Sequence, residues 1–532
     1  MSWSGKLKSV PVFALIAALV ISSTVLAAAG NSQWPSAGHD LSNTHYNSSE
    51  SKIGVSNVAN LSPAWVYTTA GDVSAIPAAD GSTVYFPDWA GNLNALDQKT
   101  GTLVWSHQIS EYTGVDGDFA RATPAIIGNM LIIGDQGGFL HAGARLIAVN
   151  KKDGSPIWVT QIESYQAAIV TQSAVVDGAG TFKFPVVYVG TSSQDELFAA
   201  TISGYELGFR GSIMAINANT GEIVWKTYTV PDGYTGGAVW GSNPAIDHSR
   251  GLLYIDTGNN YSVPPDVLDC VAAAGFDSEA ARACIDPGDY FDSILALDLA
   301  SGQIRWATTA LPYDAWTVSC IFGDPSLCPD PAGPDFDFGQ APMLFTVKGS
   351  NGMPRDLVGA GQKSGQFWAL DPDSGAIAWV TQVGPGGTLG GLEWGSATDG
   401  NRIYVADTNT LHTPWTLVQN GQPTGVTVTS GFWSALDAST GEILWQTANP
   451  AGDEAPGPVT GANGVVYACS VDPQGNMYAM DGATGEILWS YTSGGSCYGG
   501  AAIANGMVFW GSGYSNLGLG TPNNKFFAFT VP

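Results

Sequence analysis

One pattern constrains this chain more than any other. Ala, an apolar residue, then Asp or Asn is followed four residues later by Gly and eight residues later by Trp. Seven copies occur: Asp97–Gly101–Trp105, Asn150–Gly154–Trp158, Asn217–Gly221–Trp225, Asp298–Gly302–Trp306, Asp371–Gly375–Trp379, Asp437–Gly441–Trp445 and Asp481–Gly485–Trp489. Each copy reads as a hairpin, with a strand ending in the apolar pair, an Asx-started turn whose Gly tolerates positive φ, and a return strand carrying Trp. A lone hairpin cannot bury that indole. Stacking repeats around an axis sandwiches each ring between adjacent sheets, and the small Ala beside it leaves room, which is how propeller blades are made. The Trp spacing runs from 44 to 81 residues, enough for four short strands plus loop insertions on one rim.

An eighth indole, Trp65, has no preceding hairpin strand, and the C-terminal Phe526-Phe527-Ala528-Phe529 has no following one. Pairing the two closes a ring without a free edge. The expectation is an all-β chain, an eight-bladed β-propeller of four-stranded antiparallel sheets over residues 30–532 as a single domain. A seven-bladed ring with Trp65 outside it is the alternative.

Composition narrows what such a ring does. With 19 Lys plus Arg against 46 Asp plus Glu, the net charge is −27, which excludes non-specific binding of nucleic acid phosphates. Lys6 and Lys8 precede an apolar run from Val10 to Val20 and then Ala27-Ala28-Ala29, the order of a secretory signal over residues 1–29 with cleavage near Ala29. The expected location is therefore the periplasm or the medium. No later stretch holds eighteen uninterrupted apolar residues, so no membrane span is expected. Six cysteines in an exported chain suggest disulfides; they allow fifteen pairings, of which closeness in sequence favours Cys270–Cys284, Cys320–Cys328 and Cys469–Cys497.

The hairpin signature resembles the repeat of pyrroloquinoline quinone (PQQ) propellers, from about Trp34 to Pro532. Propellers that serve only as exported scaffolds share that repeat, so the site residues must carry the function. Ser203-Gly204-Tyr205-Glu206-Leu207-Gly208-Phe209-Arg210-Gly211 resembles the stretch of quinoprotein alcohol dehydrogenases whose Glu ligates a metal, and Thr257-Gly258-Asn259 resembles their Gly-Asn ligand motif. The resemblance thus assigns metal roles to Glu206 and Asn259, hard oxygen donors that suit Ca²⁺, with a lanthanide also open. The family base lies in a Trp-Asp-Tyr-Asp-like motif before a Lys-Thr-Gly-like motif. Here Asp335-Phe336-Asp337 precedes Lys363-Ser364-Gly365, with the family-like spacing of 28 residues from Asp335 to Lys363. Asp314 is the competing base, and Asp335 and Asp337 are further metal-ligand candidates.

The same resemblance implies that Arg121, Thr171, Ser203, Trp240 and Lys363 bind PQQ, with Trp240 under the quinone ring and Lys363 on its oxygen. No Cys-x-x-Cys-His occurs, so electrons are expected to leave for a separate acceptor such as a c-type cytochrome. No two cysteines are adjacent either, and Asp116 to Asp118 stand where some relatives place a vicinal disulfide. Trp34-Pro35-Ser36-Ala37-Gly38-His39-Asp40, Phe338-Gly339-Gln340-Ala341-Pro342 and Trp510-Gly511-Ser512-Gly513-Tyr514 look like landmarks of polyvinyl alcohol dehydrogenases. They imply oxidation of alcohols, secondary and even polymeric. A scaffold or binding propeller without cofactor is the rival reading.

Overall fold

Each Asx-Gly turn makes its hairpin, and the hairpins stack as eight four-stranded antiparallel sheets around one axis. The computed structural model describes residues 1–2, 32–137, 143–178, 180–349 and 351–532; the export signal read over 1–29 lies, from residue 3 onward, outside the described residues. Blades 1 to 7 span residues 78–108, 125–163, 175–228, 245–309, 343–382, 397–448 and 460–492. In blade 8, Ser62–Thr68 forms the outer strand beside Lys525–Thr530, with Trp65 opposite Ala528. The ring therefore closes as expected, by pairing the two ends of the chain.

The repeat residues latch neighbouring blades. In every hairpin Trp stands opposite the repeat Ala, as Trp105 does opposite Ala95 and Trp225 opposite Ala215. The indole N–H then reaches into the next blade's turn: Trp105 donates to Lys151 O at 3.0 Å, Trp158 to Ala218 O at 2.8 Å, Trp225 to Leu299 O at 3.0 Å and Trp306 to Pro372 O at 3.0 Å. Trp65 makes the same bond to Gln98 O at 2.9 Å across the closure. The turn Gly lies flat against that ring. Gly302 has φ +70°, and a Cβ there would overlap the Trp225 indole, so this position excludes side chains for two independent reasons. Two residues past Trp, a threonine hydroxyl adds a second latch, as Thr227 does to Gly302 O at 2.7 Å. Of the repeat tryptophans, Trp379 alone lacks an acceptor for its N–H among the described residues.

One end of the axis is covered by a segment that no repeat announces. Residues 34–47 run from blade to blade, the carbonyls of Pro35, Leu41, Ser42, Thr44 and His45 accepting from Ile126, Ile246, Leu344, Thr398 and Gly461. Asn47 Nδ2 completes the circuit on Ile503 O at 2.7 Å. Long loops gather at the other end, including the helix Pro265–Ala274 and the turn Val318–Cys320. They are cross-linked by Cys270–Cys284 and Cys320–Cys328, while Cys469–Cys497 ties blade 7 to the approach to blade 8, the three pairs favoured by sequence proximity. Among the described residues, no helix is long and apolar enough to cross a membrane.

Candidate active site

The connection between blades 4 and 5 and the turn at Lys363 meet at the loop-bearing end. Lys363 follows the strand Pro354–Gly361, and its N–H donates to Asp337 O at 2.9 Å. Its buried ammonium then donates to Asp335 Oδ1 at 3.1 Å and to Asp337 Oδ2 at 3.2 Å. Asp335 sits at φ +58°, a backbone state that a non-Gly residue holds only when its surroundings enforce it. Asp314 does so: its carboxylate accepts from Asp335 N at 3.2 Å and Phe336 N at 2.8 Å. Asp337 Oδ1 in turn accepts the N–H of Asn259 at 2.7 Å, and both hydrogens of Asn259 Nδ2 go to carbonyls, Trp316 O at 2.9 Å and Asn260 O at 3.0 Å. That leaves the Asn259 Oδ1 as a free acceptor. Gly258 allows the approach, since a Cβ there would lie 3.0 Å from the Asp337 carboxylate.

Acids outnumber bases in this centre. Burial would lower the Lys363 ammonium, but Asp335, Asp337, Glu393 and Glu196 around it hold it well above the usual lysine range. Burial pushes Asp335 well up against the pull of Lys363. It pushes Glu196 up to about 8, with Asp337 adding repulsion, and Asp314 up to about 7. Asp256 and Asp292 are fully buried and, among the described residues, have no hydrogen-bond donor on either oxygen, and burial raises both strongly. One lysine among so many carboxyl groups is an arrangement that a further cation would relieve.

Beside this cluster lies a cavity on the axis, lined by Arg121, Thr171, Trp240, Trp394 and Tyr498, with Ala37 and His45 of the covering segment also on its wall. The acid cluster does not itself line it; Trp240 belongs to both, its ring 5.5 Å from Lys363 Nζ. Trp394 packs edge-on against Trp240 at 5.3 Å, and the Arg121 guanidinium stacks 4.8 Å over Trp394. Thr171 Oγ1 donates to Trp240 O at 3.1 Å.

Of the residues expected from sequence, Arg121, Thr171 and Trp240 meet at the cavity, and Asp314, Asp335, Asp337, Asn259 and Lys363 meet in the cluster. Asp314 differs from Asp335 in being committed to backbone N–H groups. Glu206 and Ser203 are in neither place; both are exposed. Asp195 explains this, because its carboxylate accepts from Gly208 N at 3.1 Å, Phe209 N at 3.0 Å and Tyr205 Oη at 2.6 Å, drawing those groups inward and turning Glu206 out. The glutamate beside Asp337 and Lys363 is Glu196, in the first turn of the helix Asp195–Thr201, with Oε1 buried and unpartnered. The acid pair Asp195-Glu196, one residue after Ser192-Ser193, was the available signal. Glu393 and Trp394 were also missed in the sequence reading.

These residues fit an acidic organic cofactor with a hard cation. Glu196 and Asp337 offer carboxylate oxygens and Asn259 an amide oxygen, the donor set Ca²⁺ prefers, while Arg121 and two indoles line a cavity suited to a flat anionic ring. Among the described residues no three carboxylate, imidazole or thiol side chains converge into a finished cage, so a cation here needs ligand atoms from the cofactor as well.

Fold and centre together define a quinoprotein-type propeller. The chain belongs to the PQQ-repeat family, whose model, described as outer membrane protein assembly factor BamB, matches residues 54–308 and 430–517; within it, the chain groups with the quinoprotein alcohol dehydrogenases. It is 26% identical to a polyvinylalcohol dehydrogenase of Pseudomonas sp., covering 94% of this chain and 77% of that one. It is 28% identical to a polyvinylalcohol dehydrogenase of Sphingopyxis sp. over 75% of this chain, and spans 56% of that relative's length. In three dimensions it resembles the quinohemoprotein alcohol dehydrogenase of Comamonas testosteroni, with a TM-score of 0.67 and 18% identity over 94% of this chain and 80% of that one, a likeness of fold.

Proposed function

We propose that this protein is a PQQ-dependent alcohol dehydrogenase, acting on secondary alcohols, polyvinyl alcohol among them, in the periplasm or outside the cell. The observation that carries the reading is the buried Lys363 shared by Asp335 and Asp337 beside the unpartnered Glu196, next to a cavity lined by Trp240 and Arg121. A scaffold has no use for so costly a buried charge cluster.

PQQ, when bound, supplies an electrophilic carbonyl carbon that accepts hydride. The chain's own residues do the rest. Asp335, aimed by its strained backbone and by Asp314, takes the hydroxyl proton of the alcohol, which requires it ionised; Lys363 and a cation on Glu196, Asn259 and Asp337 favour that state against burial. Lys363 would also steady negative charge at the edge of Trp240, and Arg121 on the cavity wall would hold the cofactor's carboxylates. Ca²⁺ is the cation that this donor set favours, and a separate c-type cytochrome is the proposed acceptor.

The test is a spectroscopic titration of the purified protein with PQQ, with and without Ca²⁺, followed by turnover of 2-butanol and polyvinyl alcohol with a dye acceptor. Stoichiometric, Ca²⁺-dependent binding and turnover are expected. Folded protein that binds no PQQ under either condition would sink the reading in favour of a scaffold.

A further inference from the structure

The eight innermost strands begin in register, so the residues four positions ahead of each start hold equivalent places in the eight blades. Those positions are Ser74, Arg121, Thr171, Gly241, Gly339, Glu393, Pro456 and Tyr498, ahead of Ala78, Ala125, Val175, Ala245, Met343, Ala397, Thr460 and Ala502. Ser74, Arg121, Thr171 and Tyr498 line the axial cavity. Only two members of the ring carry charge, Arg121 and Glu393.

Glu393 is wedged into place by glycines. A Cβ on Gly339 would lie 2.8 Å from Glu393 Cγ and 2.9 Å from the Trp240 ring, so the glutamate stem and the indole lie side by side on one glycine. At the far end, a Cβ on Gly390 would lie 2.8 Å from both Glu393 Oε2 and Thr408 Oγ1. The carboxyl group has a cation on either flank, Lys363 and Arg121, yet among the described residues it forms no ion pair or hydrogen bond with either. Asp314 serves the backbone, Asp335 and Asp337 the lysine, and Glu196 the candidate cation site. Glu393 instead has its stem beside Trp240, whose ring lines the cavity, with Lys363 and Arg121 as the cations acting on its carboxyl group.

We propose that Glu393 is a cofactor-binding acid that takes up one proton when the anionic quinone binds, so that the site presents a hydrogen-bond donor rather than a third negative wall to the ligand's carboxylates. The inference rests on the proposed PQQ dependence. A carboxylate left ionised beside a tricarboxylate would repel it, whereas the neutral acid donates to it. Burial already holds the group up to about 7, with Asp337 and Glu454 adding repulsion and Lys363 and Arg121 opposing it. An arriving anion raises it further. Binding then consumes a proton only between the free and the bound pKa: affinity is flat below about 7 and falls by up to roughly tenfold per pH unit above it.

The experiment is isothermal titration calorimetry of the full chain with PQQ at saturating Ca²⁺, from pH 6 to 9, in two buffers of different ionisation enthalpy, which counts protons directly and needs no turnover. Wild type is expected to take up close to one proton at pH 8. Glu393→Gln, a neutral donor of the same shape, is expected to lose that uptake and to bind roughly tenfold more tightly than wild type at pH 8 while matching it at pH 6. Glu206→Gln, at the exposed rim, should behave as wild type. Equal proton counts and parallel pH profiles in wild type and Glu393→Gln would overturn the inference. Absence of PQQ binding by wild type at every pH would instead overturn the proposed function, so the two failures are distinct.

Discussion

Replacing Lys363 with Met removes one ammonium and keeps most of the stem volume. In the folded protein that ammonium lies 3.1 Å from Asp335 and 3.2 Å from Asp337, with side chains 8%, 3% and 7% exposed respectively. Solvent screening is therefore slight, and breaking such a pair leaves buried acids uncompensated at a cost of about 3–5 kcal/mol. The sign of the pH dependence follows from linkage. Burial holds Asp335 above its unfolded value, so the stability it contributes is present at low pH and lost as pH rises through the folded pKa. Without Lys363 that pKa rises further. The variant should thus be close to wild type at acid pH, where Asp335 is protonated in both proteins, and fall behind by the full amount at alkaline pH.

Urea unfolding of both proteins across that pH range, monitored by tryptophan fluorescence, reads the difference. Added Ca²⁺ should restore part of the lost stability in Lys363→Met, because the substituted site keeps its oxygen donors and loses its competing cation. A destabilisation independent of pH would refute the reasoning, since it would mark lost packing rather than unpaired charge.

Asp335→Asn should abolish turnover while PQQ still binds, whereas Asp314→Asn should retain measurable turnover with a lower kcat, because it loosens the Asp335 backbone without removing the base; steady-state kinetics beside a PQQ titration separates them. Glu196→Gln should weaken Ca²⁺ binding at least tenfold and Glu206→Gln should leave it unchanged, read by calorimetry with PQQ present; the reverse order would return the metal role to Glu206. Gly302→Ala combines a left-handed backbone, about 1–2 kcal/mol for a residue with Cβ, with overlap against Trp225, about 1–3 kcal/mol, and should lower the urea midpoint without altering the site. Trp225→Phe should cost about 1 kcal/mol more than Trp379→Phe, because only the former strips a hydrogen bond from its neighbour's turn.

The scaffold was legible because its energetics repeat. Each Gly must accept a positive φ and the indole of the preceding blade, and every repeat Trp but Trp379 reaches the carbonyl after the next Asx, so the copies meet nearly the same demand and keep the same spacing. The covering segment 34–47 was not legible, because its carbonyls meet six different strands and no period results. In the centre, Asp335, Asp337 and Lys363 could be read since a short, direct backbone path joins each to a repeat strand. Glu206 misled for the opposite reason. The helix Asp195–Thr201 and the inward pull of Asp195 intervene before it, and motif likeness carries no information about where such an insertion turns its side chains.

An eightfold scaffold builds an asymmetric centre by varying one position of the repeat. The strand starts fix where the fourth preceding residue points, and that geometry does not depend on which residue stands there, since the blades are held by Trp and Gly elsewhere. Arg121 can therefore line the cavity and Glu393 lie beside Trp240 while Gly241, Gly339 and Pro456 hold the equivalent places without charge. Gly339 contributes by being small, giving Glu393 and Trp240 the room to lie side by side. It follows that Gly339→Ala should disturb the cofactor cavity and not the fold: weaker PQQ binding with an unchanged urea midpoint. A loss of stability as large as that of Gly302→Ala would show instead that the ring positions carry the blades, and that cavity and scaffold are not separable.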